Sequence, residues 1–129
     1  MLEPAWRAFI ARPVLGNGLN TYHELNSMAA TPENWAALSY AGAAHNVFVQ
    51  ALEENGIVGS CLLVLMLGPP LWSALRRALF GATGVEWAAA ILGTATLLLL
   101  HGAIDFELQI PAVASLFAFG LGAFTGPAD

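Results

Sequence analysis

The chain contains no lysine, and its four arginines against nine acidic residues leave a net charge of −5. Nucleic-acid binding relies on basic side chains that neutralise phosphates, so nucleic acid is not an expected partner. Charge of either sign is scarce, at 10% of residues, where an ordinary soluble domain carries about 25%. The single cysteine, Cys61, cannot belong to a disulfide framework and reads as a small buried apolar residue. The N-terminal MLEPAWRAF lacks a basic stretch leading into an apolar run, so no signal peptide is expected there.

What fills the space left by charge is apolar sequence. Residues 57–75, 87–104 and 108–128 contain no Asp, Glu, Lys or Arg. A membrane-crossing helix needs roughly 20 mainly apolar residues. A soluble bundle of three helices that are apolar all round would leave no polar face for water. The expected fold class is therefore an all-α integral membrane protein. About three transmembrane helices are expected in residues 57–129, with short interfacial helices in a periplasmic segment over residues 1–56. The lipid bilayer is the first partner this implies.

Local signals divide the chain further. Pro4 suits the first turn of a helix over 5–11, which Pro13 ends. VLGNGLNTY, residues 14–22, reads as a loop whose glycines permit tight turns. Thr31 is a candidate N-cap for an interfacial helix over 32–40, with Pro32 and Glu33 in its first turn and Trp35 and Tyr40 at the membrane boundary. After a small-residue break, residues 45–55 form a helix with Phe48, Val49 and Leu52 on its apolar side. Gln50, Glu53 and Glu54 fall on a solvated side. Gly56 ends that helix in a left-handed conformation. Gly68-Pro69-Pro70 is expected to kink or terminate the first span. Arg76 and Arg77 mark the next loop as cytoplasmic. The second span, 87–103, then returns outward, IDFELQIP turns the chain, and the third span runs over 111–124. This topology puts residues 1–56 and 105–110 on the same outer side.

Few side chains there carry chemistry. His45, at the expected start of a helix, is a candidate general base because the positive end of the helix dipole favours a neutral imidazole. It is otherwise a structural hydrogen-bonding residue. Asn46 is suited to orienting a hydroxyl or capping the helix. Arg7 and Arg12 are the only outer-side arginines; they either bind phosphate or snorkel to the interface. His101 and Asp105, four apart, share a helix face, with Asp105 expected to hold His101 and shape a cavity wall. His23 and Glu24 lack the partners that a metal site requires, and no metal is expected. Phe117, Phe119 and Phe124 read as packing or lipid-facing surface.

Three stretches together resemble a known family. One is His45-Asn46, nine residues, then Gly56-Ile57-Val58-Gly59. A second is WRAFIARPVLGNGLNTY, residues 6–22. The third is HGAIDFELQIPAVASLFAFGLG, residues 101–122, which fits H-x-x-x-D-F-x-h-x-x-P with h apolar. Their order and spacing resemble the C-terminal part of the O-antigen ligase and O-antigen polymerase family, in which a periplasmic His opens a short helix leading to a span. The resemblance implies a bacterial inner-membrane, multi-pass, metal- and cofactor-independent inverting glycosyltransferase of lipopolysaccharide or other polysaccharide synthesis. Its donor would be an undecaprenyl-diphosphate-linked glycan, and its acceptor a lipid A-core sugar, another glycan or a protein. Carried over, His45 is the base, Asn46 contacts substrate, Arg7 and Arg12 hold the diphosphate, and Gly56 and Gly59 shape the cavity. Family members have many more spans, so further spans outside this sequence, or on a partner chain, are expected. The competing expectation is a non-catalytic small membrane protein, an inactive fragment or an assembly subunit.

The topology is open to direct measurement. In a chain whose only cysteine is placed at Ser27, an impermeant maleimide added outside is expected to label; at Ala82 it is expected not to. Labelling of position 82 from outside would overturn the orientation.

Overall fold

A computed structural model describes residues 2–38 and 42–125. Its regular elements are all helical, with no strand among the described residues: α1 (Leu2–Ala11), α2 (Tyr22–Met28), α3 (Trp35–Leu38), α4 (Val47–Phe80), α5 (Val85–His101), a 3-10 turn (Glu107–Gln109) and α6 (Pro111–Thr125). Helix α1 and the loop after it agree with the expectation. Helix α2 was not foreseen from its short polar sequence. Helix α3 begins at Trp35 because Thr31 does not act as its cap; the Thr31 N–H instead donates to Asn34 Oδ1 at 2.6 Å. Tyr40 lies outside the described residues.

Helix α4 organises the molecule. Its N-cap is Asn46, whose Oδ1 accepts from the Val49 N–H at 3.0 Å. The helix starts at Val47 rather than His45, since a capping side chain must sit outside the first turn. Gly56 breaks it, at φ 63° and ψ −167°. That conformation is open essentially to glycine alone, so the glycine predicted to end a helix does bend one. In an unbroken helix the N–H groups of Ile57 and Val58 would donate to the carbonyls of Glu53 and Glu54. Here Ile57 donates to Pro13 O at 2.8 Å and Val58 to Val14 O at 3.1 Å. The released Glu53 carbonyl accepts from the Asn17 N–H and from Asn17 Nδ2, both at 3.0 Å, and the Glu54 carbonyl accepts from Gly18 N–H at 2.9 Å. Residues 13–18 thus take over the severed ladder on both sides of the break.

Beyond the break, α4 runs unbroken through Pro69 and Pro70 to Phe80. The expected termination at Gly68-Pro69-Pro70 therefore does not occur, although the two prolines have no N–H to offer the carbonyls of Leu65 and Met66. This helix is long and apolar enough to cross a membrane, and only 6% of its apolar window is buried within the chain. A soluble protein's core helix would be covered; this one leaves Leu62, Val64, Leu65, Met66 and Trp72 exposed. Helices α5 and α6 are shorter apolar helices, and they likewise expose Leu97, Leu100, Leu116 and Phe119. Where α4, α5 and α6 meet, the buried residues are mostly small: Ala74, Ala88 and Ala95, with Leu121. Small side chains let helix backbones approach closely.

The break also sets distances. At 1.5 Å per residue, α5 reaches about 26 Å, whereas a straight α4 would extend about 50 Å. Yet the Val47 N–H donates to Gly102 O, just past the end of α5, at 2.7 Å. Only a fold-back at Gly56 lets the first residue of α4 meet the last turn of α5.

A Cβ on Gly56 would collide with the Val14 carbonyl and the Gly16 nitrogen, and one on Gly16 with the Glu54 carbonyl. Gly56→Ala and Gly16→Ala are each expected to destabilise the chain by about 2–4 kcal/mol, read as a lowered thermal midpoint by tryptophan fluorescence in detergent. A midpoint unchanged in both variants would dismiss the clamp.

Candidate functional site

The fold-back brings His45, Asn46 and the connection after α5 together. Asn46 Nδ2 donates to Ala103 O at 2.8 Å while its Oδ1 caps α4. Gly102 lies against Val47, where a Cβ would meet the Val47 side chain. The His45 backbone takes φ 49°, uncommon for a residue with a Cβ. Its ring packs edge-on against Phe106 at 5.1 Å, and His45 Nδ1 stands 3.1 Å from Asp105 Oδ1. An ionised carboxylate can only accept, so the proton belongs on Nδ1 and Nε2 is the nitrogen that can take another. His45 remains about half exposed. Orientation of the ring therefore comes from a carboxylate 60 residues away, in place of the helix terminus that the sequence suggested.

The expected pairing of Asp105 with His101 is not what forms. Asp105 faces His45, and its Oδ1 also accepts from the Phe106 N–H at 2.9 Å. His101 Nδ1 instead meets Glu107 Oε1. The chain leaves α5 in a tight turn, with the Asp105 N–H donating to His101 O at 2.9 Å, so Asp105 stays close to His101, their ligand atoms within 4.8 Å, while its carboxylate bonds His45. Glu107 was not singled out from the sequence. The only signal was its place two residues past Asp105 in a short connection.

The arginines stand apart from this group. Arg7 pairs with Glu3 at 2.6 Å in an exposed i, i+4 bridge on α1. Arg12 is exposed at the end of α1, one residue before the Pro13 carbonyl that receives Ile57. Among the described residues neither arginine bonds His45, Asn46 or Asp105. Gly56 and Gly59 act at the bend: a Cβ on Gly59 would overlap the Asn55 side chain one turn back.

The polar side of residues 47–55 is turned inward, opposite to the expected solvated face. Gln50 is buried, and its Oε1 accepts from the Ala44 N–H at 2.9 Å. Glu53 is fully buried, as are Tyr22 and Asn26, and among the described residues neither of its carboxyl oxygens has a partner at hydrogen-bond distance, though Thr21 lies near enough to act on it. Phe48, by contrast, is exposed. The inward face packs where residues 17–18 also bond the Glu53 and Glu54 carbonyls. Burial, reinforced by the neighbouring charge of Glu54, pushes the Glu53 carboxyl up to about 7.

Compared with known proteins, the chain matches no family model, no curated protein and no solved structure.

Burial of Glu53 has a consequence for stability. The unfolded carboxyl ionises near 4.5 and the folded one near 7, so between those values the folded state holds the extra proton. Stability is then expected to fall as pH rises across that window and to level off above it, with a total change of about 3 kcal/mol. Glu53→Gln should flatten the dependence and raise the thermal midpoint at pH 8 relative to the parent. Parallel pH profiles for the two proteins would remove Glu53 from this role.

Proposed function

We propose that the chain is the C-terminal part of an O-antigen ligase-type glycosyltransferase in a bacterial inner membrane. It moves a glycan from an undecaprenyl-diphosphate carrier to an acceptor hydroxyl. In this reading α4, α5 and α6 are three spans, Arg76 and Arg77 face the cytoplasm, and residues 1–56 lie on the periplasmic side. The observation that carries the reading is the His45–Asp105 pair at 3.1 Å, half exposed just before the start of a long apolar helix. The resemblance of the three sequence stretches supports it, and the second stretch bonds the other two, the third beside His45 and the first at the Gly56 bend. The same uncovered apolar surface that suits lipid also suits further spans, so it equally fits a non-catalytic assembly subunit.

The chemistry follows from the pair. Nε2 of His45 removes the acceptor hydroxyl proton as the oxygen attacks the anomeric carbon. The bond from that carbon to the carrier diphosphate breaks on the opposite face, inverting configuration. The proton stays on His45, now an imidazolium opposite the Asp105 carboxylate, which stabilises it. Departure of the diphosphate needs positive charge. Arg12 and Arg7 supply it in this reading; the exposed Arg7–Glu3 bridge is worth only about 0.5 kcal/mol and yields readily to phosphate. Asn46 holds the turn that presents His45.

In the full chain, with its accompanying spans, His45→Ala is expected to reduce transfer of carrier-linked glycan at least about 100-fold. Asp105→Asn should reduce it about 10- to 100-fold while shifting the pH–rate profile, because Asp105 acts by positioning His45. Arg12→Ala should weaken donor binding, with Arg12→Lys a partial rescue. Normal transfer by a well-expressed His45→Ala protein would sink the assignment.

A further inference from the structure

We propose that His101, Asp105 and Glu107 form a binding site for a borderline divalent transition-metal ion of the Zn²⁺ type. Each residue offers one ligand atom, and these atoms lie within 4.8 Å of one another. Ligands around a tetrahedral zinc stand about 2.0–2.2 Å from the ion, hence roughly 3.3 Å apart, so side-chain rotation alone closes the set. One imidazole nitrogen and two carboxylate oxygens match zinc and similar ions better than a thiolate-seeking or purely oxygen-seeking metal. Three protein ligands leave a fourth position for water.

Independent features point the same way. Glu107 Oε2 is buried and has no hydrogen-bond partner among the described residues. The ion-pair partners of both carboxylates are histidines, with no permanently charged cation between them. His101 is also the last residue of α5, where the negative end of the helix dipole favours a cation. All three ligands fall within seven consecutive residues held by the turn and the 3-10 segment, so little chain has to be ordered on binding.

The site shares Asp105 with His45. A bound ion draws that carboxylate from His45 Nδ1 and leaves the ring without the group that orients it. The ion therefore opposes the proposed transfer reaction and takes no part in it. This consequence rests on the glycosyl-transfer reading; the binding does not.

The test is isothermal titration of Zn²⁺ into the full chain purified in detergent, with no donor or acceptor present. One equivalent is expected to bind the parent, with His101→Ala and Glu107→Gln each weakening it at least tenfold. His45→Ala should bind as tightly as the parent or more so, because Asp105 is released. Co²⁺ added to the parent chain should give the visible absorption of a four- or five-coordinate nitrogen–oxygen site, which guards against variants that fail to fold. Absence of that absorption, undiminished binding in His101→Ala, or loss of binding in His45→Ala alone would each overturn the site. Where transfer can be assayed, Zn²⁺ should slow the parent and spare His101→Ala; equal inhibition of both would refute the coupling. Absent transfer alongside intact binding would count against the enzymatic reading and leave the site standing.

Discussion

A backbone carbonyl or amide cut off from its partner must find another, and this requirement at Gly56 governs the rest of the structure. Breaking α4 frees two donors and two acceptors where an apolar helix begins, a setting in which unpaired groups are costly. The chain meets the demand with residues 13–18, whose carbonyls of Pro13 and Val14 and amides of Asn17 and Gly18 match the severed pairs one for one. The loop can come that close only because glycines stand at positions 16 and 56. Beside the clamp, Gln50 and Glu53 are buried. The clamped bend folds the start of α4 back to the end of α5, which sets His45 against Asp105.

Much of the architecture was legible in the sequence because its signals are local. Windows without charge marked the positions of α4, α5 and α6, Pro13 ended α1, and Gly56 announced a left-handed turn. What the sequence concealed was the direction of things. Periodicity divides residues 47–55 into an apolar and a polar face without saying which side is covered, and the usual assumption puts the polar face in water. In the structure Gln50 and Glu53 are buried instead. Likewise the i, i+4 spacing of His101 and Asp105 does bring the two close, but it does not name their partners: Asp105 bonds His45 and His101 meets Glu107. The true partner of Asp105 is 60 residues away, and no local pattern reports such a contact. Glu107, whose partner His101 is close in sequence, lacked the i, i+4 spacing that drew attention to Asp105.

The three stretches that resembled one family are scattered in sequence and contiguous in space. Residues 13–18 belong to the first, the bend and His45 to the second, and Gly102, Ala103 and Asp105 to the third. The second stretch bonds both of the others: Ala103 accepts from Asn46 and Gly102 from Val47 at its start, and Pro13 and Val14 accept from Ile57 and Val58 at its bend. His45 lies at the junction with the third stretch. Arg7, on α1 and paired with Glu3, and Arg12, just past the end of α1, bond none of His45, Asn46 and Asp105 among the described residues.

The separation of His45 from Asp105 also bears on how such a protein is made. In a bilayer the two residues share a compartment only if α4 and α5 have threaded the membrane in opposite directions. Were α5 inserted the wrong way round, or left unthreaded, Asp105 would end on the far face and His45 would keep a loose ring with nothing to hold it. On the proposed reading, formation of the His45–Asp105 pair would therefore report that α4 and α5 have both been inserted.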